Sequence, residues 1–183
     1  MFKIKQYRCE RTNQNDIEIY NSETSTFAKI QLNQGARLKE LLIGDHHLIR
    51  EMKDLAYTKS YASSILFPFA NRIKDGRYEF ENKNYQFSIN EKELNNALHG
   101  LVYNKEFKVL HTDATEDFAS VVLRYIENKN TSGFPYTFAI NLNYILTQSS
   151  LTLEVEIKNT DSITFPFTLG WHPYFFSSDR YNS

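Results

Sequence analysis

Two histidines stand in distinctive surroundings, Leu98-His99-Gly100 and Gly170-Trp171-His172-Pro173-Tyr174-Phe175. Upstream of both, Arg72 follows Phe67-Pro68-Phe69-Ala70-Asn71 and precedes Ile73-Lys74-Asp75-Gly76. An arginine carries five fixed donors and a permanent charge, so it can fork onto neighbouring hydroxyls or a ring oxygen. Imidazole ordinarily titrates near neutral pH and is a competent general acid or base there. One guanidinium and two imidazoles therefore suit a polyhydroxylated ligand on which protons are moved. Asn71, able to donate and accept, gains interest by adjacency. Gly100 lets the backbone turn, or lets a ligand approach closely, beside His99. Each residue also has a plainer reading: Arg72 as a solvated strand end, His99 as a satisfied structural histidine, His172 as one polar residue in an aromatic strand.

Other chemistry is poorly provided for. His46 and His47 are adjacent, and neighbouring strand residues face opposite ways, so both cannot easily hold one metal. His111 is isolated in a charged stretch. No HxH, HxxxH or CxxC spacing occurs, so no metal site is expected. No GxGxxG or P-loop pattern is present, so no cofactor is expected either.

The elements that must position these groups read as strands. Phe138, Ile140, Leu142, Tyr144 and Leu146 alternate with polar residues, as do Leu151, Leu153, Val155 and Ile157. Tyr78 and Phe80, then Tyr85, Phe87 and Ile89, show the same period of two around Glu81-Asn82-Lys83-Asn84, a hairpin turn. Further strands are expected at 2–9, 16–20, 25–32, 36–43, 105–111, 118–127 and 163–169. A single short helix is expected near 51–58. Residues 90–98 lose the alternation and read as a loop that delivers His99, and Gly133-Phe134-Pro135-Tyr136 reads as a second. Antiparallel strands joined by short turns point to an all-β protein, a β-sandwich, with residues 1–183 as one domain.

The 183 residues suffice for a sizeable core. Hydrophobic residues make up 41% and charged residues 23%, ordinary for a globular protein. Fourteen Phe and twelve Tyr favour pleated surfaces and leave rings for stacking on sugars. The net charge of −1, from 21 basic and 22 acidic residues, offers no field for nucleic acid. The lone Cys9 permits no internal disulfide and fits a reducing compartment. No apolar signal region or spanning helix is evident, so no membrane association is expected and a cytoplasmic protein is.

In this order, Pro68 to Tyr78, Tyr85 to Asn90, Leu98-His99-Gly100, Gly133-Phe134-Pro135 and His172-Pro173-Tyr174-Phe175 resemble the aldose 1-epimerase, or galactose mutarotase, family. The resemblance runs from about residue 35 to the C-terminus. It implies a large antiparallel β-sandwich of the galactose mutarotase-like supersandwich type, with a free hexose as partner in a cleft across one sheet. It implies interconversion of α and β anomers by acid–base ring opening, without a cofactor. On it, His172 matches the general acid that protonates the ring oxygen, and His99 the histidine that assists there. Arg72 matches the substrate-binding arginine, with Asn71 beside it.

The resemblance also puts the family's general base, a glutamate, and a sugar-binding aspartate far along the C-terminal half. Glu154 and Glu156, on the polar face of a strand pattern, do not match that base. The chain is therefore expected to correspond to the N-terminal portion of such an enzyme, with the sandwich incomplete at its C-terminus. A fragment of a longer product is favoured over a protein completed by a second chain and over a shortened, inactive relative. Exposed strand edges would then invite a homo-oligomer or a missing C-terminal fragment as partner. Two other readings compete: a non-catalytic carbohydrate-binding β-sandwich, and a cupin-like metal enzyme with His99 and His172 as ligands.

Overall fold

In the computed structural model, alternation of apolar and polar residues becomes alternation of buried and open faces. Phe138, Ile140, Leu142, Tyr144 and Leu146 are fully buried, while Ala139, Asn141, Asn143 and Ile145 between them are half-open. The structure describes residues 1–52, 54–129 and 131–177, with only the backbone of Thr12. Residues 178–183, at whose end the sandwich was expected to be incomplete, lie outside the described residues.

The first five strands form one antiparallel sheet in sequence order: β1 (Lys3–Cys9), β2 (Gln14–Asn21), β3 (Thr26–Gln31), β4 (Arg37–Ile43) and β5 (His46–Ile49). A one-turn helix, α1 (Tyr57–Ser60), follows. Short strands come next: β6 (Ile65–Leu66), β7 (Arg72–Lys74), β8 (Arg77–Phe80), β9 (Lys83–Gln86) and β10 (Asn96–Leu98). A second antiparallel sheet is again in sequence order: β11 (Lys108–Ala114), β12 (Phe118–Glu127), β13 (Phe138–Thr147) and β14 (Leu151–Asn159). The last element is β15 (Gly170–Trp171). Ile17, Ile19, Ala28, Ile30 and Leu38 of the first sheet share one core with Val121, Leu123, Leu142 and Tyr144 of the second. The Tyr144 hydroxyl crosses between them to donate to the Ala36 carbonyl at 2.9 Å. The fold is thus the all-β antiparallel sandwich that the alternation predicts. No helix among the described residues is long and apolar enough to cross a membrane.

Four local expectations need correction. Residues 163–169 form no strand: Pro166 lacks a donor and restricts Phe165. Phe165 instead packs on Phe134 and Tyr136. The strand expected at 105–111 lies at Lys108–Ala114, in the register set by its pairing with β12. The strand β5 was not anticipated, because His46 and His47 mask its short apolar content. Finally, 90–98 is not wholly loop, since Asn96–Leu98 pairs with Arg72–Lys74.

The polar face of the first sheet carries a dense ion-pair network. Lys29 reaches Glu18 at 3.0 Å and Asp16 at 3.5 Å, while Lys39 reaches Glu51 at 3.1 Å and Arg37 reaches Glu51 at 2.8 Å. Arg37 and Lys39 are buried, so their charges require these partners. Glu51 thereby fastens the segment leading to α1 onto the sheet. Arg37 also lies over the Tyr57 ring at 4.5 Å.

Candidate active site

Two short antiparallel pairings assemble the site. In the first, β10 pairs with β7 so that Leu98 faces Arg72 and Ala97 faces Ile73. The ladder continues one step further, where the His99 N–H donates to the Asn71 carbonyl at 2.9 Å. Arg72 and His99 are therefore neighbours across a ladder, although far apart along the chain. In the second, β15 pairs with β6, setting Trp171 opposite Ile65. His172 then donates its N–H to Ser64 and accepts from Ser63 through its carbonyl, at 3.1 Å and 2.8 Å.

The turn at His99 is sterically special. His99 has φ +65° and Gly100 φ +72°. A Cβ on Gly100 would sit 2.3 Å from the Phe67 carbonyl oxygen, so no larger residue fits there. Asn71 and Tyr61 also adopt left-handed backbone, with φ +64° and +51°. Non-glycine residues held this way cost energy, and His99, Asn71 and Tyr61 are three of them.

The outcome is a side-by-side imidazole pair. The His99 and His172 rings lie 5.2 Å apart, edge to face. Tyr61 packs against His99 from another side at 4.8 Å, and Tyr174 lies 5.2 Å from His172. His99 is 7% exposed. Burial, then the neighbouring His172 and the Arg72 charge, push its pKa down to about 4. His99 is accordingly neutral across the physiological range. The Nδ1 atoms of both histidines, Trp171 Nε1 and Ser63 Oγ are buried without a hydrogen-bond partner. Buried polar groups are ordinarily paired, so such a concentration calls for a functional explanation.

Arg72 is exposed and held in place by Glu91. Its Nε donates to Oε2 at 2.8 Å and to Oε1 at 3.0 Å, and its Nη2 donates to Oε1 at 2.6 Å. Its Nη1 donates to Asn71 Oδ1 at 3.3 Å. Asn96 adds a bond to Glu91 Oε2 at 2.7 Å. The Arg72 guanidinium, then Asn96, holds the Glu91 carboxyl down to about 2. The remaining Arg72 donors stay available for a ligand.

The structure thus brings together all four residues singled out from the sequence. Two contributors were missed there. Glu91 had no signal beyond being one charge in a polar stretch, and Tyr61 none beyond its aromatic type. Glu154 and Glu156 accept bonds from Asn143 and Asn141 on the polar face of the second sheet. His46, His47 and His111 take no part in the pair. Among the described residues, no group of three or more His, Cys, Asp or Glu could hold a metal ion.

The aldose 1-epimerase family model matches residues 17–183. The uncharacterized protein YihR of Escherichia coli is 28% identical over 141 residues, which are 76% of this chain and 44% of that protein. A galactose mutarotase-like protein from Clostridium acetobutylicum has a similar structure, with a TM-score of 0.81 and 26% identity over 95% of this chain and 54% of that one. A galactose 1-epimerase from Lactobacillus acidophilus shares the fold, with a TM-score of 0.67 and 18% identity over 87% of this chain and 48% of that one. The matched segments span 44% and 35% of the length of two curated Escherichia coli relatives.

Proposed function

The chain belongs to the aldose 1-epimerase family, and from that premise we propose that His99, His172 and Arg72 bind a free hexose and promote interconversion of its α and β anomers. The observation that carries this reading is the imidazole pair at 5.2 Å, with its buried, unpaired nitrogens. Ring opening needs a proton delivered to the ring oxygen while the anomeric hydroxyl loses one, in this scheme to solvent water, which returns a proton to the donor after each turnover. Concerted proton transfer avoids a charged intermediate, and each transfer contributes about 10²–10⁴-fold. His172 is the proton donor in this scheme. His99, kept neutral, assists at the same oxygen. Arg72, with its fork fixed by Glu91 and Asn71, grips hydroxyls away from C1, so that the opened aldehyde can turn about C1–C2 and reclose from its other face. No cofactor is needed for these steps. The single Cys9 accords with the reducing cytoplasm as the place of action.

A second reading, a non-catalytic sugar-binding sandwich, is favoured by one feature. Glu91 is committed to Arg72 and Asn96, and Glu154 and Glu156 to asparagines, so none of these carboxylates is free to act as a general base. Polarimetry on freshly dissolved α-D-galactose and α-D-glucose separates the two. Acceleration over buffer that disappears in His172→Asn is expected for the enzyme. Saturable sugar binding without acceleration would select the binder.

A further inference from the structure

One short stretch, from α1 to β6, touches both imidazole-bearing residues. Tyr61 packs on the His99 ring at 4.8 Å, and Ser63 and Ser64 bond the His172 backbone from both sides. Tyr61 and Ser63 have φ of +51° and +59°. Such backbone persists only where its surroundings hold it.

Tyr57 supplies that hold. Its hydroxyl lies 2.7 Å from Ser64 Oγ and 2.7 Å from the Tyr103 carbonyl oxygen. A carbonyl only accepts, so Tyr57 gives its one proton to Tyr103, with the Gln34 carbonyl at 3.4 Å as a weaker second acceptor. Ser64 then donates to the tyrosine oxygen. Burial pushes the Tyr57 pKa up to about 12, which keeps that proton in place at neutral pH. Tyr103 follows His99 through Gly100-Leu101-Val102. One hydroxyl therefore joins the chain leaving His99 to the chain that seats His172. The tyrosine is itself well fixed: Arg37 lies over its ring at 4.5 Å, and its carbonyl accepts from the Tyr61 N–H at 2.8 Å. Ser64 is fully buried, so losing this partner is costly.

We propose that Tyr57 is a positioning residue, whose hydroxyl sets the spacing of the His99 and His172 imidazoles through Ser64 and Tyr103. Its effect on rate rests on the acid–base reading of the pair, whereas the spacing itself does not. Proton transfer tolerates little displacement: about 1 Å of misplacement costs about 100-fold in rate.

Tyr57→Phe removes the hydroxyl oxygen and keeps the ring, and two measurements read the result. In the sugar-free protein, the nuclear Overhauser cross-peak between the His99 and His172 ring protons should fall several-fold. The cross-peak between the stacked Tyr78 and Tyr85 rings, 4.9 Å apart and outside this stretch, should keep its intensity. By polarimetry, kcat should fall about 10–100-fold while KM changes by less than about threefold. Ser64→Ala breaks the same bond from its other end, should weaken the same cross-peak, and carries the test if Tyr57→Phe fails to fold. The double variant should lose no more turnover than Tyr57→Phe alone, because one bond cannot be removed twice. An intact His99–His172 cross-peak would overturn the proposal whatever the rates. A raised KM with kcat kept, or additive losses in the double variant, would overturn it too. A wild-type chain that does not accelerate anomer exchange would overturn the anomer reading alone, and the cross-peak would still decide the role of Tyr57.

Discussion

Replacing His99 by Asn should flatten the acid side of the stability profile. The folded chain holds this imidazole at a pKa of about 4, chiefly through burial and secondarily through His172 and Arg72. The unfolded chain leaves it near 6.5. Above pH 6.5 the ring is neutral in both states and contributes nothing to the pH dependence. Below that, the unfolded chain takes up a proton that the folded chain refuses, so stability is lost as pH falls from about 6.5 toward about 4. At 1.36 kcal/mol per pH unit the full gap amounts to about 3 kcal/mol. Residual solvation of the site screens part of this, leaving about 1–2 kcal/mol. Urea unfolding at pH 7, 5.5 and 4.5 measures it directly. The wild-type chain should lose about 1–2 kcal/mol more than His99→Asn between pH 7 and 4.5. Parallel losses in the two proteins would show that the imidazole is not desolvated, and would undo the claim that it stays neutral at its post.

Other expectations follow from the same geometry. His172→Asn should slow anomer interconversion by about 10²–10⁴-fold, read by polarimetry, with the far-ultraviolet circular dichroism unchanged. Arg72→Ala should chiefly raise KM or the sugar dissociation constant, by about tenfold or more, with a smaller change in turnover. Glu91→Gln should shift the same parameter in the same direction but less, because it loosens the three bonds that hold the Arg72 fork. Gly100→Ala should destabilise the fold by about 2–4 kcal/mol, from the clash with the Phe67 carbonyl and the positive φ, and thermal unfolding reads it.

Much of the scaffold was legible in the sequence because a half-buried strand writes its two faces into alternate positions. The run from Phe138 to Leu146 shows this directly, with five buried side chains at a spacing of two. The hairpin at 81–84 was legible for the same reason, with Glu81 and Asn82 as its left-handed turn residues. The strands β6, β7, β10 and β15 were not legible, since two or three residues cannot express a period. Those are the elements that bring Arg72 to His99 and seat His172. Residue types and the family resemblance therefore picked out the candidate residues, while long-range pairing, which no local pattern encodes, joins them. Tyr61 escaped notice likewise, because its place over His99 depends on Glu51 anchoring a separate segment to the sheet through Arg37 and Lys39.

The central claim is that one hexose binds against both His99 and His172. Carbon-13 correlation spectra of the histidine Cε1–H groups, recorded while D-galactose or D-glucose is titrated in, address it directly. His46, His47 and His111 serve as internal references. The His99 and His172 signals should move together along a single saturation curve, the references should stay fixed, and Arg72→Ala should push that curve to higher sugar concentration. Independent curves for the two histidines, movement confined to the references, or no movement at saturating sugar would contradict the claim.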